Sequence, residues 1–105
     1  MNDIQLKLND AGRGAFVLEE QGEVLADMEI SIRNGSLTVF HTEVAEKLKG
    51  KGVAAKLLST MTDYAREKHL NVIPLCPYVH AQFKRHAEQY EDIWNREWHS
   101  GGGGV

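Results

Sequence analysis

The chain has a single cysteine, Cys76, among its 105 residues. An internal disulfide is excluded, and that cysteine usage fits a reducing cytoplasm, where the protein is expected to reside. No apolar run approaches the roughly 20 residues that a membrane-spanning helix needs. The opening MNDIQLKLND has no basic segment followed by an apolar stretch, so no secretion signal is expected. Positive charge is also short: 12 Lys and Arg stand against 15 Asp and Glu, a formal net charge of -3. That balance argues against general attraction to nucleic acid or an anionic membrane, and neither is expected as a partner. His41, His69, His80, His86 and His99 never fall into a His-x-x-x-His spacing with a third ligand, so no metal site is expected. Internal repeats are missing too. The length suits one domain, taken as residues 1–99, with SGGGGV at 100–105 as a flexible tail.

What is present changes period halfway along. Ile4, Leu6 and Leu8 alternate with polar residues, and GAFVLE at 14–19 is a second short apolar run. Val24, Ala26, Met28, Ile30 and Ile32 recur at period two, the pattern of a half-buried strand. Asn34-Gly35 then separates this run from residues 36–42, a strong hairpin signal because both residues tolerate positive φ. From Val53 the period becomes helical: Val53, Leu57, Met61 and Ala65 form a stripe that Ala54 and Leu58 widen. The expected helix runs from near Lys51 to near His69. NVIPLC suits a buried fifth strand, parallel to a neighbour across the helical crossover. Pro77 suits the first turn of a second helix that buries Val79 and Phe83. Tyr90, Trp94 and Trp98, four apart, suggest a further turn packed on the core. The fold class is therefore α+β: a four-stranded antiparallel meander, a helix, a parallel-type fifth strand and a helix, with helices covering the sheet.

The stretch LKGKGVAAKLL, residues 48–58, carries the chemistry. Gly50 and Gly52 lie between a strand end and a helix start. Glycine there lets a ligand approach the backbone amides, and the first amides of a helix lack internal partners at the positive end of the dipole. Together they make an anion site, most naturally for phosphate. Lys47, Lys49 and Lys51 add charge around it. The Walker pattern is absent. Gly-x-Gly-x-x-Gly is absent as well, since position 55 is alanine and no βαβ unit precedes the loop. As a bare Gly-x-Gly, the pair also fits a tight turn into the helix.

This stretch resembles the acetyl-CoA loop of the GCN5-related N-acetyltransferases. Their motif, Gln/Arg-x-x-Gly-x-Gly/Ala, falls on Lys49, Gly52 and Ala54, with lysine replacing the usual first residue. HTEV at 41–44, IPLCPY at 73–78 and EQYED at 88–92 are similar to a compact bacterial branch of that superfamily. The resemblance covers about residues 4 to 93, and Trp94 onward extends past it. It implies a pyrophosphate on the amides of Lys49, Gly50, Lys51, Gly52, Val53 and Ala54. It implies a pantetheine arm between the strand ends near Glu43, Val44 and Cys76, with Phe83 on the second helix. Acetyl would pass to an amine, either a small molecule or a protein lysine.

For the base, Glu43 is the first candidate, at a strand end before the loop, and His41 the second, because an unperturbed imidazole changes charge close to neutrality. In many relatives a tyrosine of the last helix protonates the thiolate. That position falls near Phe83, which has no proton to give, and Tyr78 is the substitute. Cys76 precedes a helix start, where a thiol can become a nucleophile, or it is a small buried hydrophobe. Two further readings are a CoA-binding module without turnover and a Cys76-dependent acyl carrier or thioesterase. A basic nucleic-acid module is weakest. A monomer is expected.

Overall fold

The computed structural model describes residues 4–97. The expected tail, Trp98 and His99 lie outside the described residues. One five-stranded sheet has the order β1-β2-β3-β4-β5, with β1 at Ile4–Leu8, β2 at Arg13–Glu20, β3 at Glu23–Arg33, β4 at Ser36–Val44 and β5 at Asn71–Pro74. The first four strands are antiparallel, and β5 runs parallel to β4. Helix α1 (Val53–Glu67) makes the crossover, and α2 (Pro77–Arg85) and the single turn α3 (Ala87–Tyr90) follow β5. The sequence pattern anticipates the five strands, α1 and α2; it marks α3 only as a further turn and does not anticipate the 3₁₀ turn at Glu46–Leu48.

Two of the three hairpin turns follow directly from their residues. Gln21 and Gly22 have φ of 52° and 83°, and Asn34 and Gly35 have 52° and 81°. Paired positive φ values suit the right-handed twist of the strands on either side. All three helices pack on one sheet face. Phe16, Met28, Ile30, Leu37, Val39 and Val72 of that face meet Leu57 and Met61 of α1 and Val79 and Phe83 of α2 in one cluster. Burial of each large aliphatic side chain contributes about 1.5–3 kcal/mol.

Two bulges break the strand periodicity. In β3, Leu18 pairs with Ala26 while Glu19 pairs with Val24, so Leu25 is the extra residue. The shift turns Val24 out, at 48% exposed, and buries Leu25 at 3%. The unbroken stripe from Val24 to Ile32 is thus corrected at its first member. In β4, Ile30 pairs with Val39 but Glu29 pairs with His41, so Phe40 is the extra residue. An extra residue flips every side chain beyond it to the other face.

The C-terminal segment is tied on by polar contacts. Asn71 Oδ1 accepts from Ser36 Oγ at 2.8 Å and from Asn95 Nδ2 at 3.0 Å. Arg66 grips Asp92 through Nε at 2.9 Å and Nη2 at 3.2 Å. Trp94 forms a parallel bridge with Val72, so this segment lies along β5. Tyr90 is buried as expected. Trp94 does not continue α3, and its ring meets Phe83 edge-on at 5.6 Å.

Phe83 is buried, as the helical pattern of α2 anticipates, and the cofactor contact implied for it by the resemblance is corrected, since it is not on the groove wall. It is wholly buried and stacks on Tyr90 at 4.5 Å, because its place on α2 faces the sheet. Phe83→Ala should lower unfolding free energy by about 3–5 kcal/mol, read by urea denaturation.

Candidate active site

Beyond Val39, β4 has no strand on its β5 side among the described residues. β5 ends at Pro74, and the Cys76 amide closes the pairing by donating to the Val39 carbonyl at 2.9 Å. The two strands part there. A groove of about 800 Å³ runs from this splay to the start of α1. Leu25, Ala26 and Asp27 of β3 and Thr42, Glu43 and Val44 of β4 form one wall, and Leu48 to Gly50 and Gly52 to Ala55 form the other end. Tyr78, in the first turn of α2, closes it.

The loop shapes its end of the groove by engaging only some of its amides. A 3₁₀ turn at Glu46–Leu48 is held by Leu48 N–H to the Ala45 carbonyl at 2.9 Å and Lys49 N–H to the Glu46 carbonyl at 3.1 Å. Lys51 N–H returns to the Leu48 carbonyl at 3.2 Å. Gly50 and Gly52 take φ of 82° and 77°, and Gly52 caps α1 without a side-chain bond. The amides of Gly50, Gly52, Val53, Ala54 and Ala55 have no backbone acceptor among the described residues. Unfilled amides at the positive end of a 15-residue helix suit a phosphate group. A Cβ added at Gly50 or Gly52 would meet nothing within 4 Å, so the space over these amides is open.

The other end of the groove is polar in a different way. The bulge at Phe40 brings His41 and Glu43 to the sheet face away from the helices, beside Asp27 and Glu29. Glu43 pairs with Asp27 and His41 with Glu29. One ligand atom each from Asp27, His41 and Glu43 lies within 4.8 Å of the others. His41 Nδ1 is 3.5 Å from Glu29 Oε1. Burial, with the nearby charges of Glu43 and Glu29, raises the Asp27 carboxyl above its ordinary pKa. Burial, with Tyr90 and Cys76 adding to it, raises the Tyr78 hydroxyl, which keeps its proton at neutral pH.

Most of the anticipated site residues meet in this groove. Glu43, Val44, Lys49, Gly50, Gly52, Val53, Ala54 and Tyr78 line it. Lys51 belongs to the loop but is not part of the wall, and His41 sits beside the carboxylates. Lys49 Nζ is 3.4 Å from Glu46 Oε1, and Lys47 Nζ is 3.9 Å from Glu23 Oε1. Of the two readings of Cys76, the structure matches the buried hydrophobe and corrects the place on the groove surface: it is 2% exposed and belongs to the core cluster. Its Sγ lies 3.4 Å from Thr42 Oγ1, one layer behind the wall. Asp27 and Thr42 were not anticipated. Asp27 belongs to the polar phase of β3 and Thr42 to β4 opposite Met28, and their places in the groove become readable only with the bulge register in hand. The absence of a histidine metal spacing also says nothing of the Asp27, His41 and Glu43 group, which forms across two strands.

A groove with unfilled helix-start amides at one end and ionisable side chains at the other has the shape and polarity for a phosphate-bearing ligand. The family model of GCN5-related N-acetyl-transferases matches residues 15–93, and the chain belongs to that family. Enzymes of this family generally use acetyl-CoA and act on an acceptor substrate. The fold is similar to a GCN5-like protein from Staphylococcus aureus, with 24% identity, TM-score 0.63 and coverage of 90% of both chains. It is also similar to the ribosomal-protein-S18-alanine N-acetyltransferase of Escherichia coli, at 17% identity and TM-score 0.54, over 61% of this chain and 42% of that one. For the ribosomal-protein-alanine N-acetyltransferase of Brucella melitensis biovar Abortus 2308 the values are 21%, 0.56, 76% and 62%. The chain thus spans less than two thirds of both ribosomal-protein enzymes, and at these identities the likeness carries the fold alone. No curated protein matches the sequence significantly. No described helix is long and apolar enough to cross a membrane.

Gly52→Val places a branched side chain at φ 77° and over the open amides. CoA affinity should fall at least about tenfold, while the strained angle costs about 1–3 kcal/mol of stability; calorimetric titration and thermal melting read the two. The raised Asp27 pKa makes the folded chain lose stability as pH climbs out of the ordinary carboxylate range through the raised value. Asp27→Asn removes that loss. The variant should melt higher than wild type at pH 7, and the gap should close below about pH 4, where the unfolded carboxyl is protonated.

Proposed function

We propose that the chain transfers acetyl from acetyl-CoA to a primary amine by direct attack in the groove between β4, β5 and α1. The observation that carries this reading is the pairing of unfilled helix-start amides with Glu43 and Tyr78 along one groove. The amides of Gly50 and Gly52 to Ala55 would hold the pyrophosphate, with Lys49 at the rim. Val44, Leu25 and Ala26 give the groove an apolar floor for a pantetheine arm. Acetyl-CoA supplies, when bound, an acetyl carbon open to attack and a sulfur that leaves.

The chain's own groups move the protons. Glu43 takes the first proton from the acceptor ammonium, and the freed lone pair forms the new C–N bond as the C–S bond breaks. His41, half-exposed beside Glu43, passes that proton to solvent. Tyr78 gives its hydroxyl proton to the departing sulfur and recovers one from the nitrogen, which becomes the amide. The raised pKa of Tyr78 suits this role, because the hydroxyl stays protonated until a basic thiolate forms. The covalent route through Cys76 is disfavoured by its burial behind Thr42.

Calorimetric titration with CoA and an assay of thiol release over a panel of amines test the reading. Wild type should bind CoA and release thiol only with an amine present. Glu43→Gln and Tyr78→Phe should each lower kcat about a hundredfold or more, as loss of a general base or acid does, with CoA affinity kept. Cys76→Ala should keep turnover. A stable acetyl adduct by intact-protein mass spectrometry, lost in Cys76→Ala, would replace direct attack with the covalent route.

A further inference from the structure

Thr42 and Cys76 meet where β4 and β5 part, and the proton transfers above use neither. The backbone pins Cys76 on both sides: its N–H donates to the Val39 carbonyl and its carbonyl accepts from His80 N–H, each at 2.9 Å. Its side chain is sealed from solvent, with Sγ 3.4 Å from Thr42 Oγ1. Among the described residues that hydroxyl is the thiol's one hydrogen-bond partner. A thiol is a weak donor and its sulfur a weak acceptor, whereas a hydroxyl oxygen accepts on two lone pairs and also donates. Were Thr42 to donate to the sulfur, the buried thiol proton would have no acceptor. With the thiol as donor, both protons have a use. Cys76 gives its own to Oγ1, and the Thr42 proton turns away from the core, into the groove that Thr42 lines.

The place of this hydroxyl matters as much as its spare proton. Thr42 precedes Glu43, and its partner Cys76 stands two residues before Tyr78. The hydroxyl thus lies between the strand that carries the base and the helix start that carries the acid. Successive strand residues point to opposite faces. Thr42, paired with Met28, reaches the free edge of β4 from the helix side, and Glu43, paired with Asp27, reaches it from the open side. A carbonyl carbon attacked from one side becomes tetrahedral, and its oxygen swings away from the attacker as it gains negative charge. An amine that loses its proton to Glu43 enters from the open side, so the oxygen moves toward Thr42. A donor waiting there holds the charged state more tightly than the resting thioester, and that difference is what accelerates a reaction.

We propose that Thr42 Oγ1 donates a hydrogen bond to the acyl carbonyl oxygen and stabilises the charge it gains during transfer, with Cys76 as the positioning residue that turns the hydroxyl toward the groove. This rests on the transfer reading above and adds to it a side-chain donor for the carbonyl. Thr42 keeps its proton throughout, and no covalent bond to it forms or breaks. The buried thiol acts through the hydroxyl in front of it and attacks nothing.

Infrared spectroscopy on the full chain tests the contact without turnover. A single cysteine gives a single S–H band, and acetyl-CoA adds none. Acetyl-CoA isotope-labelled at its acetyl carbonyl is bound with no amine present. Its carbonyl band should lie at lower wavenumber in wild type than in Thr42→Val, a variant of nearly the same shape. The wild-type S–H band should also fall as acetyl-CoA binds, because a hydroxyl that donates becomes a better acceptor. A carbonyl band at the same place in both proteins, or an S–H band that ignores acetyl-CoA, overturns the proposal. Cys76→Ala should broaden the carbonyl band while turnover persists, since the hydroxyl keeps its proton but loses its fixed direction. A band as narrow as in wild type overturns the positioning role. In kinetics with the fastest amine of the panel above, Thr42→Val should lower kcat about a hundredfold, as loss of one oxyanion donor does, with a far smaller loss of acetyl-CoA affinity. Thr42→Ser, which retains the hydroxyl, should keep most of the turnover. An unchanged kcat in Thr42→Val overturns the proposal and leaves the transfer reading intact. Bands that respond as expected while no amine is acetylated defeat the transfer reading alone, and the carbonyl contact stands.

Discussion

Between Val39 and His41, β4 carries one residue more than β3 can pair. Without Phe40 as the extra residue, the tight turn at Asn34-Gly35 would put His41 opposite Met28 and Glu43 opposite Ala26. Both polar side chains would then point into the helix-covered core. The bulge sends them to the open face, beside Asp27 and Glu29, and sends Thr42 and Val44 inward instead. It also coincides with the end of pairing to β5, so the strand edge is free where the groove begins. Arg13 lies 4.3 Å over the Phe40 ring and covers the displaced side chain. The polar end of the site, the splay and the apolar floor all follow from that one unpaired residue.

The two ends of the groove are built by opposite means. At the loop, the anion site comes from backbone alone: glycine angles hold the chain so that amides stay unfilled. At the sheet, the charge comes from side chains that the register forces together. Such carboxylates sit at some expense to the fold, since burial and mutual repulsion both resist their ionisation. The rest of the molecule carries that strain easily, because the core on the helix face is continuous and its large members are wholly buried. The C-terminal segment adds to this frame. Asn71, Arg66 and the Val72–Trp94 bridge fasten it beside β5, on the far side of the sheet from β1.

Much of the fold was legible because its signals are local. Period two, two paired-positive turns and a helical stripe need only neighbouring residues. The amide cradle was legible for the same reason, since Gly50, Gly52 and the start of α1 are adjacent in sequence. Cys76 and Phe83 show where such reading stops, since for each the sequence allowed both a buried place and a role at the site. Each has a plausible chemical role at its position in the chain, and each is drawn into the core by the helix it belongs to. Asp27 shows the converse, a polar strand residue of no evident interest until Glu43 is found opposite it.

The sequence by itself determined the order of the elements, the anion cradle at the start of α1 and the resemblance to an acetyltransferase family, because each rests on contacts within a few residues. Only the tertiary structure decided which side chains share the groove. A bulge leaves no reliable mark in the amino-acid pattern, since any strand position can hold the extra residue. It nevertheless sets the face of every side chain after it, and so decides that Asp27, His41 and Glu43 meet while Cys76 does not join them.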